Sequence, residues 1–243
     1  MESLTHYPLL VFATAYMALW LASAVGSWLR RRYPNAGDEQ NEHLGVILAA
    51  TLTLLALIIG FSFSMATNRY DQRKNFEEAE ANAIGTEILR ADFLPPADAA
   101  NMRKLLGEYL DQRRVRIDER TSQLQADLWS SVRGPFAAQP TTVAALALAG
   151  MNDVINSQGY TQAAFWNRIP TAAWCLMAAI ALCSNVLFGY RSRNGNAAGK
   201  LILLLPLVVS IAFLLIADID APRHGLIEVR PQNLESLAKS LER

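Results

Sequence analysis

Residues 44–92 contain nothing that stops a helix, yet they begin as a membrane span and end as a water-soluble segment. After His43 come Leu44, Gly45, Val46, Ile47 and Leu48, then LTLLALIIGFSF, an apolar stretch reaching Ala66. It continues directly into TNRYDQRKNFEEAEANAIGTEILRAD, and no proline appears before Pro95 and Pro96. At roughly 1.5 Å per residue, these residues would make a rod of about 74 Å. The hydrocarbon core of a bilayer occupies only about 30 Å of that. A helix of this kind suits the wall of a pore or a strut between membrane and water.

At about 100° per residue, Thr53, Gly60, Ser64, Thr67, Asp71, Asn75, Glu78, Asn82 and Gly85 share one line along this helix. Opposite them in the apolar half lie Leu55, Ile58 and Met65, with Ser62 an exception to the pattern. Two readings stay open for Gly60 and Ser64. Small residues let membrane helices pack closely, so one reading is a seam; the other, with Asp71 and Glu78 on the same line, is a wet face. Beyond Thr67 the opposite face is polar too (Arg69, Arg73, Glu80), so the soluble half of the line discriminates little.

The chain has 243 residues, 52% of them hydrophobic, with 22 basic and 22 acidic side chains. The charges are segregated: nearly uncharged spans alternate with densely charged segments. Four stretches approach the ~20 apolar residues that a span needs, namely 9–29, 44–66, 170–188 and 201–217, the last carrying a potential kink at Pro206. VAALALA at 143–149 is too short to cross and reads as a buried or interfacial helix. The first span lacks a basic region before it and has Arg30, Arg31 and Arg32 after it, unlike a cleavable signal peptide. Cys175 and Cys183 both fall in the third span and read as core residues too far apart for a disulfide. The balanced charge argues against nucleic acid as a partner. The expected class is an all-α, multi-pass membrane protein.

The organisation expected is two membrane helices in 1–66, a helical extramembrane bundle in 67–168, two further membrane helices in 169–217, and a tail in 218–243. In the bundle, the prolines of LPPAD end the long helix and Asp98 caps the next, at about 99–133. GPFAAQP breaks that helix; Thr141 and Thr142 open a third, about 142–156, and a short one leads through Phe165 and Trp166 into the third span. Orientation is finely balanced. Arg30–Arg32 with Arg191, Arg193 and Lys200 put both short loops in the cytoplasm. Arg69, Arg73, Lys74 and Arg168 crowd the opposite flank, so the count favours a bundle outside the cytoplasm only slightly.

No catalytic constellation emerges: there is no nucleophile elbow, no phosphate-binding loop and no metal-spaced His/Cys cluster. An enzyme, a cofactor and a metal site are therefore not expected. His6, His43 and His224 are far apart and read as interfacial or surface residues, with His43 and His224 able to cap or anchor helix ends. EEAEA at 77–81 reads as a solvated face rather than a metal site. Arg113, Arg114, Arg116 and Arg120, with Asp111, Asp118 and Glu119, read as an ion-paired surface. Two features stand apart. NRYDQR at 68–73 concentrates charge where the helix leaves the bilayer, where charges must be paired or wet. ADIDAPRHGL at 217–226 places Asp218 and Asp220 at the end of the last span, an unfavourable site for acids unless basic groups lie near. Arg69, Arg73 and Arg168 end on the same membrane side, so a salt bridge with Asp220 or Asp218 is expected.

The passage IIGFSFSMATNRYDQRKNFEEAEANAIG resembles the second span and exit helix of bacterial bestrophins, and the chain is similar to the bestrophin-like group of bacterial membrane proteins. The likeness rests on an arginine-rich first loop, a helix-start histidine (His43), Gly60–Phe61, Arg69–Tyr70–Asp71, Glu78–Ala79 and a closing Asp220, Pro222 and Gly225. It covers about two thirds of the sequence, and its motifs are specific by order and spacing rather than singly. The resemblance implies a four-span protomer, a ring-shaped homo-oligomer (a pentamer), and an ion pore lined by the second span. Pore-lining candidates are Thr53, Ala56, Gly60, Ser64, Thr67, Asp71, Asn75 and Glu78; coupling candidates are Arg69, Arg73, Asp218 and Asp220. Two departures stand out. Where bestrophins carry large apolar residues one turn apart, this chain offers Ala56, Gly60 and Ser64, and it lacks the paired tryptophans after Tyr-Asp. Partners expected are the lipid bilayer, further copies of the chain and inorganic ions. The rival reading is a non-conducting scaffold or sensor whose bundle binds a partner.

Overall fold

The computed structural model describes residues 7–33, 38–115, 120–138, 140–192, 203–221 and 225–242. Among these there is no strand. The helices are α1 (Pro8–Arg32), α2 (Asp38–Arg90), α3 (Pro96–Val115), α4 (Thr121–Ala138), α5 (Thr142–Trp166), α6 (Thr171–Arg191), α7 (Leu204–Asp220) and α8 (Gln232–Leu241), with a 3₁₀ turn at Ala91–Phe93 after α2. Three helical stretches, Pro8–Arg32, Glu42–Phe93 and Thr142–Arg191, are long and apolar enough to cross a membrane. The chain divides into two compact units, Met1–Tyr70 with Arg168–Glu228, and Asp71–Asn167 with Val229–Arg243.

α2 is continuous over 53 residues. Its start at Asp38 puts His43 inside the helix, exposed, rather than at a cap. Several other boundaries differ from the sequence expectation, each for a local reason. α3 begins at Pro96, because proline suits the first helical turn where its missing N–H would be unpaired anyway; Asp98 is then a first-turn acid rather than a cap. The expected 99–133 helix is two, α3 and α4, and Ile117 lies outside the described residues. α4 runs through Gly134 and Pro135 to Ala138, since a proline in the last turn forfeits only its own N–H bond. α5 is one helix and not two: Ser157 bonds to the Val154 carbonyl, and Thr161 bonds to those of Ser157 and Phe76, so the polar stretch is satisfied without a break. VAALALA is its first turns, with Thr141 as the N-cap accepting from the Ala144 N–H. Pro206 is the third residue of α7 and therefore produces no kink.

The first unit packs α1 against α6 and α7. Lipid tails are as apolar as leucine, so this packing depends on close approach and on polar contacts. A Cβ at Gly26 would overlap the Val186 carbonyl, and one at Gly189 would overlap that of Ser23. At that crossing Ser23 donates to Asn185 Oδ1 at 3.2 Å and Ser27 to the Gly189 carbonyl at 3.2 Å. Leu55 and Ala66 of α2 join Leu19, Met177, Ala181, Phe213 and Ile216 in the apolar core. Cys175 and Cys183 are exposed, contrary to the core placement expected, because the buried line of α6 runs through Trp174, Met177, Ala181, Ser184 and Asn185. The second unit has its own core, including Ile84, Met102, Leu106, Tyr109, Leu128, Met151, Val154 and Leu234.

The α1–α6 crossing gives a graded test. Gly189→Leu is expected to prevent recovery of monodisperse protein in mild detergent. Ser23→Ala, which removes only one interhelical hydrogen bond, is expected to cost about 0.5–1 kcal/mol in thermal unfolding.

Candidate functional site

α2 presents two opposed faces. In the first unit Leu55, Ser62 and Ala66 are buried, whereas Thr53, Ala56, Gly60 and Ser64 are exposed and Thr67 is half-buried. A side chain at Gly60 would meet nothing within 4 Å. Thr53 and Thr67 donate to the carbonyls of Ala49 and Phe63 at 2.9 and 3.0 Å, so neither hydroxyl depends on another helix. Leu57 and Phe61, one turn apart, are exposed beside this line at 53% and 65%. Farther along α2, in the second unit, Asp71, Asn75, Glu78 and Asn82 are exposed, while Arg73, Glu77, Glu80, Ile84 and Glu87 are buried.

The buried charges correct the expectation of a solvated EEAEA face: only Glu78 of its three acids is exposed. Each of the others has a built environment. Arg73 donates from Nε to the Ala164 carbonyl and from Nη2 to that of Asn167, both at 3.2 Å, placing a cation on the C-terminus of α5. One turn on, Glu77 accepts from the backbone N–H groups of Asn233 and Leu234, both at 3.0 Å, and from Asn233 Nδ2 at 2.6 Å. That carboxylate satisfies the free donors at the start of α8. Glu80 receives Arg113 through two contacts, Nε–Oε1 at 2.5 Å and Nη2–Oε2 at 3.3 Å. Arg113 is thus a core residue and not part of an ion-paired surface, whereas Arg114 and Asp111 do pair locally at 3.0 Å. Arg116, Asp118 and Glu119 lie outside the described residues. Beside this pair the Tyr109 hydroxyl is pushed up to about 12, by burial first and then by the Glu80 charge.

The end of α7 uses its acids in the same manner. Asp220 is 1% exposed and lies 3.7 Å from Arg69 and 3.4 Å from Arg168, and it accepts from the Ile169 N–H at 3.1 and 3.3 Å. Asp218 accepts from the N–H groups of Leu226 and Ile227 at 2.6 and 2.9 Å. A Cβ at Gly225 would come 2.6 Å from the Asp218 carbonyl, so glycine is what lets the chain fold back onto this helix end. Two acids at a helix C-terminus are thereby offset by two guanidinium groups and three backbone donors. Pro222, His224, His6, Arg193 and Lys200 lie outside the described residues. Among the described residues no group of three or more His, Cys, Asp or Glu side chains is placed to hold a metal ion.

The buried acids were missed because charge was read as exposure. A usable signal existed: Arg73, Glu77, Glu80, Ile84 and Ile88 recur at three- and four-residue spacing, so the charges share a line with core isoleucines.

Removing one member of a buried pair leaves the other charge uncompensated, whereas replacing both with apolar groups removes that penalty. Glu80→Leu and Arg113→Met alone are each expected to destabilise the protein by about 3–5 kcal/mol. The double variant is expected to recover most of that loss in chemical or thermal unfolding. Asp220→Ala, whose arginine partners keep some water, is expected to cost about 3 kcal/mol and to lower the unfolding temperature measurably.

The fold has known counterparts. A crystal structure of a point-mutated bacterial bestrophin homologue from Klebsiella pneumoniae matches with a TM-score of 0.67, covering 94% of this chain and 96% of that one at 12% identity. A structure of the homologue solved by zinc phasing matches with a TM-score of 0.64, covering 97% and 96% at 13% identity. No curated protein matches by sequence. The bestrophin-like domain model matches residues 17–234, nearly the whole chain, and this protein belongs to the bestrophin-like family.

Proposed function

We propose that this protein is an ion channel of the bacterial inner membrane, a homo-oligomer of four-span protomers in which α2 lines the pore. One observation carries the proposal: the polar line of α2 is left largely exposed by its own protomer, whereas Leu55, Ser62 and Ala66 in the first unit and Arg73, Glu77, Glu80, Ile84 and Glu87 in the second are buried. Ser64 lies in the apolar half of that line, where an unpartnered polar group in lipid costs several kcal/mol. Further copies of the same helix around an axis would supply partners or water. The family bond supports the architecture, and a ring of five follows the resemblance that the sequence bears to bestrophins.

Along the proposed path, Thr53, Ala56, Gly60, Ser64 and Thr67 line the membrane portion, and Asp71, Asn75 and Glu78 follow. Leu57 and Phe61 share the exposed arc and would place bulky apolar groups next to the small ones. α7, at 17 residues, is the shortest of the four proposed spans. Asp220 ties its end to α2 through Arg69, so a shift of one is felt by the other; Asp218 anchors the returning tail.

Ala56, Gly60 and Ser64 also favour a second reading. Small residues one turn apart are what a closed helix seam requires, and a ring sealed by Leu57 and Phe61 would be a scaffold that conducts nothing. Reconstitution into vesicles, with the mass of the purified assembly measured alongside, separates the two. The channel reading expects an oligomeric mass and ion flux that rises in Leu57→Ala. An oligomer without flux in either form supports the scaffold, and a monomeric mass overturns both. Rings of carboxylates select cations, so reversal potentials are expected to favour cations, less so in Asp71→Asn.

A further inference from the structure

The buried face of α2 carries one acid that no cap or strong ion pair explains. Glu87 is fully buried, at 0% exposure. Its Oε2 meets Arg90 Nη1 at 3.3 Å, a single long contact one turn away, while Oε1 is buried with no hydrogen-bond partner. Glu80, on the same face, has two contacts to a guanidinium, and Glu77 has three donors. The space for Glu87 is made by α5: a Cβ at Gly150 would overlap both the Glu87 carboxyl and the Arg90 guanidinium. Gly150 itself is buried.

We infer that Glu87 is a reversible proton-binding site that fastens the last turns of α2 to α5 at Gly150 when protonated and loosens that contact when ionised. The charged groups that bear on it are Arg90 on its own helix and Asp153 on α5, one turn beyond Gly150. α3 and α8 add Met102, Leu106, Leu234 and Ala238 to the same core. On the neighbouring turn, Asp92 pairs with Arg103 of α3. An ionised Glu87 therefore has one oxygen unsatisfied, an acid nearby and one partial counter-charge. Protonation removes the buried charge, and with it both the cost of desolvating that charge and its repulsion with Asp153.

The electrostatics agree in direction. Burial raises the carboxyl, the hydrogen bond and charge of Arg90 lower it, and Asp153 raises it again, leaving it at about 7 against an ordinary value of 4.5. The folded state thus holds a proton that the unfolded chain has already released between pH 4.5 and about 7. Its stabilising contribution is complete below that window and is lost as pH rises through it. The site is a property of the protomer and holds whether or not the assembly conducts.

The test compares thermal unfolding of the full-length wild type and Glu87→Gln in mild detergent at pH 5.5 and pH 8. The wild type is expected to lose at least about 3 °C more than Glu87→Gln over that interval, because the amide cannot titrate. Parallel losses in the two proteins overturn the inference. Should Glu87→Gln not fold, amide exchange across α5 in the wild type decides. After correction for the intrinsic pH dependence of exchange, protection near Gly150 is expected to fall between pH 6 and pH 8. Unchanged protection there overturns it equally.

Discussion

A charged side chain buried without a partner costs several kcal/mol, and the inner face of α2 beyond the membrane segment buries four charged side chains that have to be answered: Arg73, Glu77, Glu80 and Glu87. That cost dictates what packs there. Arg73 requires carbonyls and receives the C-terminus of α5. Glu77 requires donors and receives the start of α8. Glu80 requires a cation and receives Arg113 from α3. For these three the sign of the charge matches the helix end or side chain set against it, and Glu87 is the exception. Apolar residues of equal volume would support the same core, yet would not distinguish one helix end from another.

The first unit solves a different problem. Burial of apolar surface gives little net drive inside lipid, so α1 and α6 are held by contact distance. Gly26 and Gly189 bring the two backbones together, and Ser23, Ser27 and Asn185 convert the approach into hydrogen bonds. At its edge the logic reverts to charge, with Asp220 drawing Arg69, Arg168 and the Ile169 N–H to one carboxylate. One chain thus uses small residues where water is absent and opposed charges where water begins.

The continuous course of α2 was legible because a run without proline has one dominant outcome when it is apolar and then charged. The all-α class was legible for the same reason. What could not be read was the meaning of polar residues inside helices. The helix expected to end at about 156 continues to Trp166 because Ser157, Gln158 and Thr161 bond along their own helix or to a neighbour. Glu77 and Glu80 looked solvated because composition counts charges without knowing what opposes them. Cys175 and Cys183 failed in the reverse sense: in a lipid-facing helix an apolar residue is as much at home outside as inside, so hydropathy cannot assign its face. The resemblance to bestrophins supplied an architecture that periodicity alone had left open.

The strict helical line through Thr53, Gly60 and Ser64 also proved narrower than the surface that α2 leaves uncovered. Leu57 and Phe61 border that line and are exposed, as are Val46 and Leu54. A lipid-facing helix would show bulky apolar residues on all of its open surface. A fully hydrated one would show polar groups throughout. α2 shows a thin lane of small and polar residues bordered by large apolar ones, and within the membrane portion its threonines are satisfied by their own helix. Such a lane asks little of its surroundings in hydrogen bonds, so polarity alone is a weak argument for water. The stronger argument is steric. Gly60 is exposed, and a side chain there would meet none of the described residues within 4 Å, so a neighbouring chain, lipid or water can come close to the backbone at this point. A second copy of α2 seated on Gly60 would close the lane, and Leu57 and Phe61 turned into it would close it too, so the packing at Gly60 and the bulk of those two side chains together set how much room the lane has.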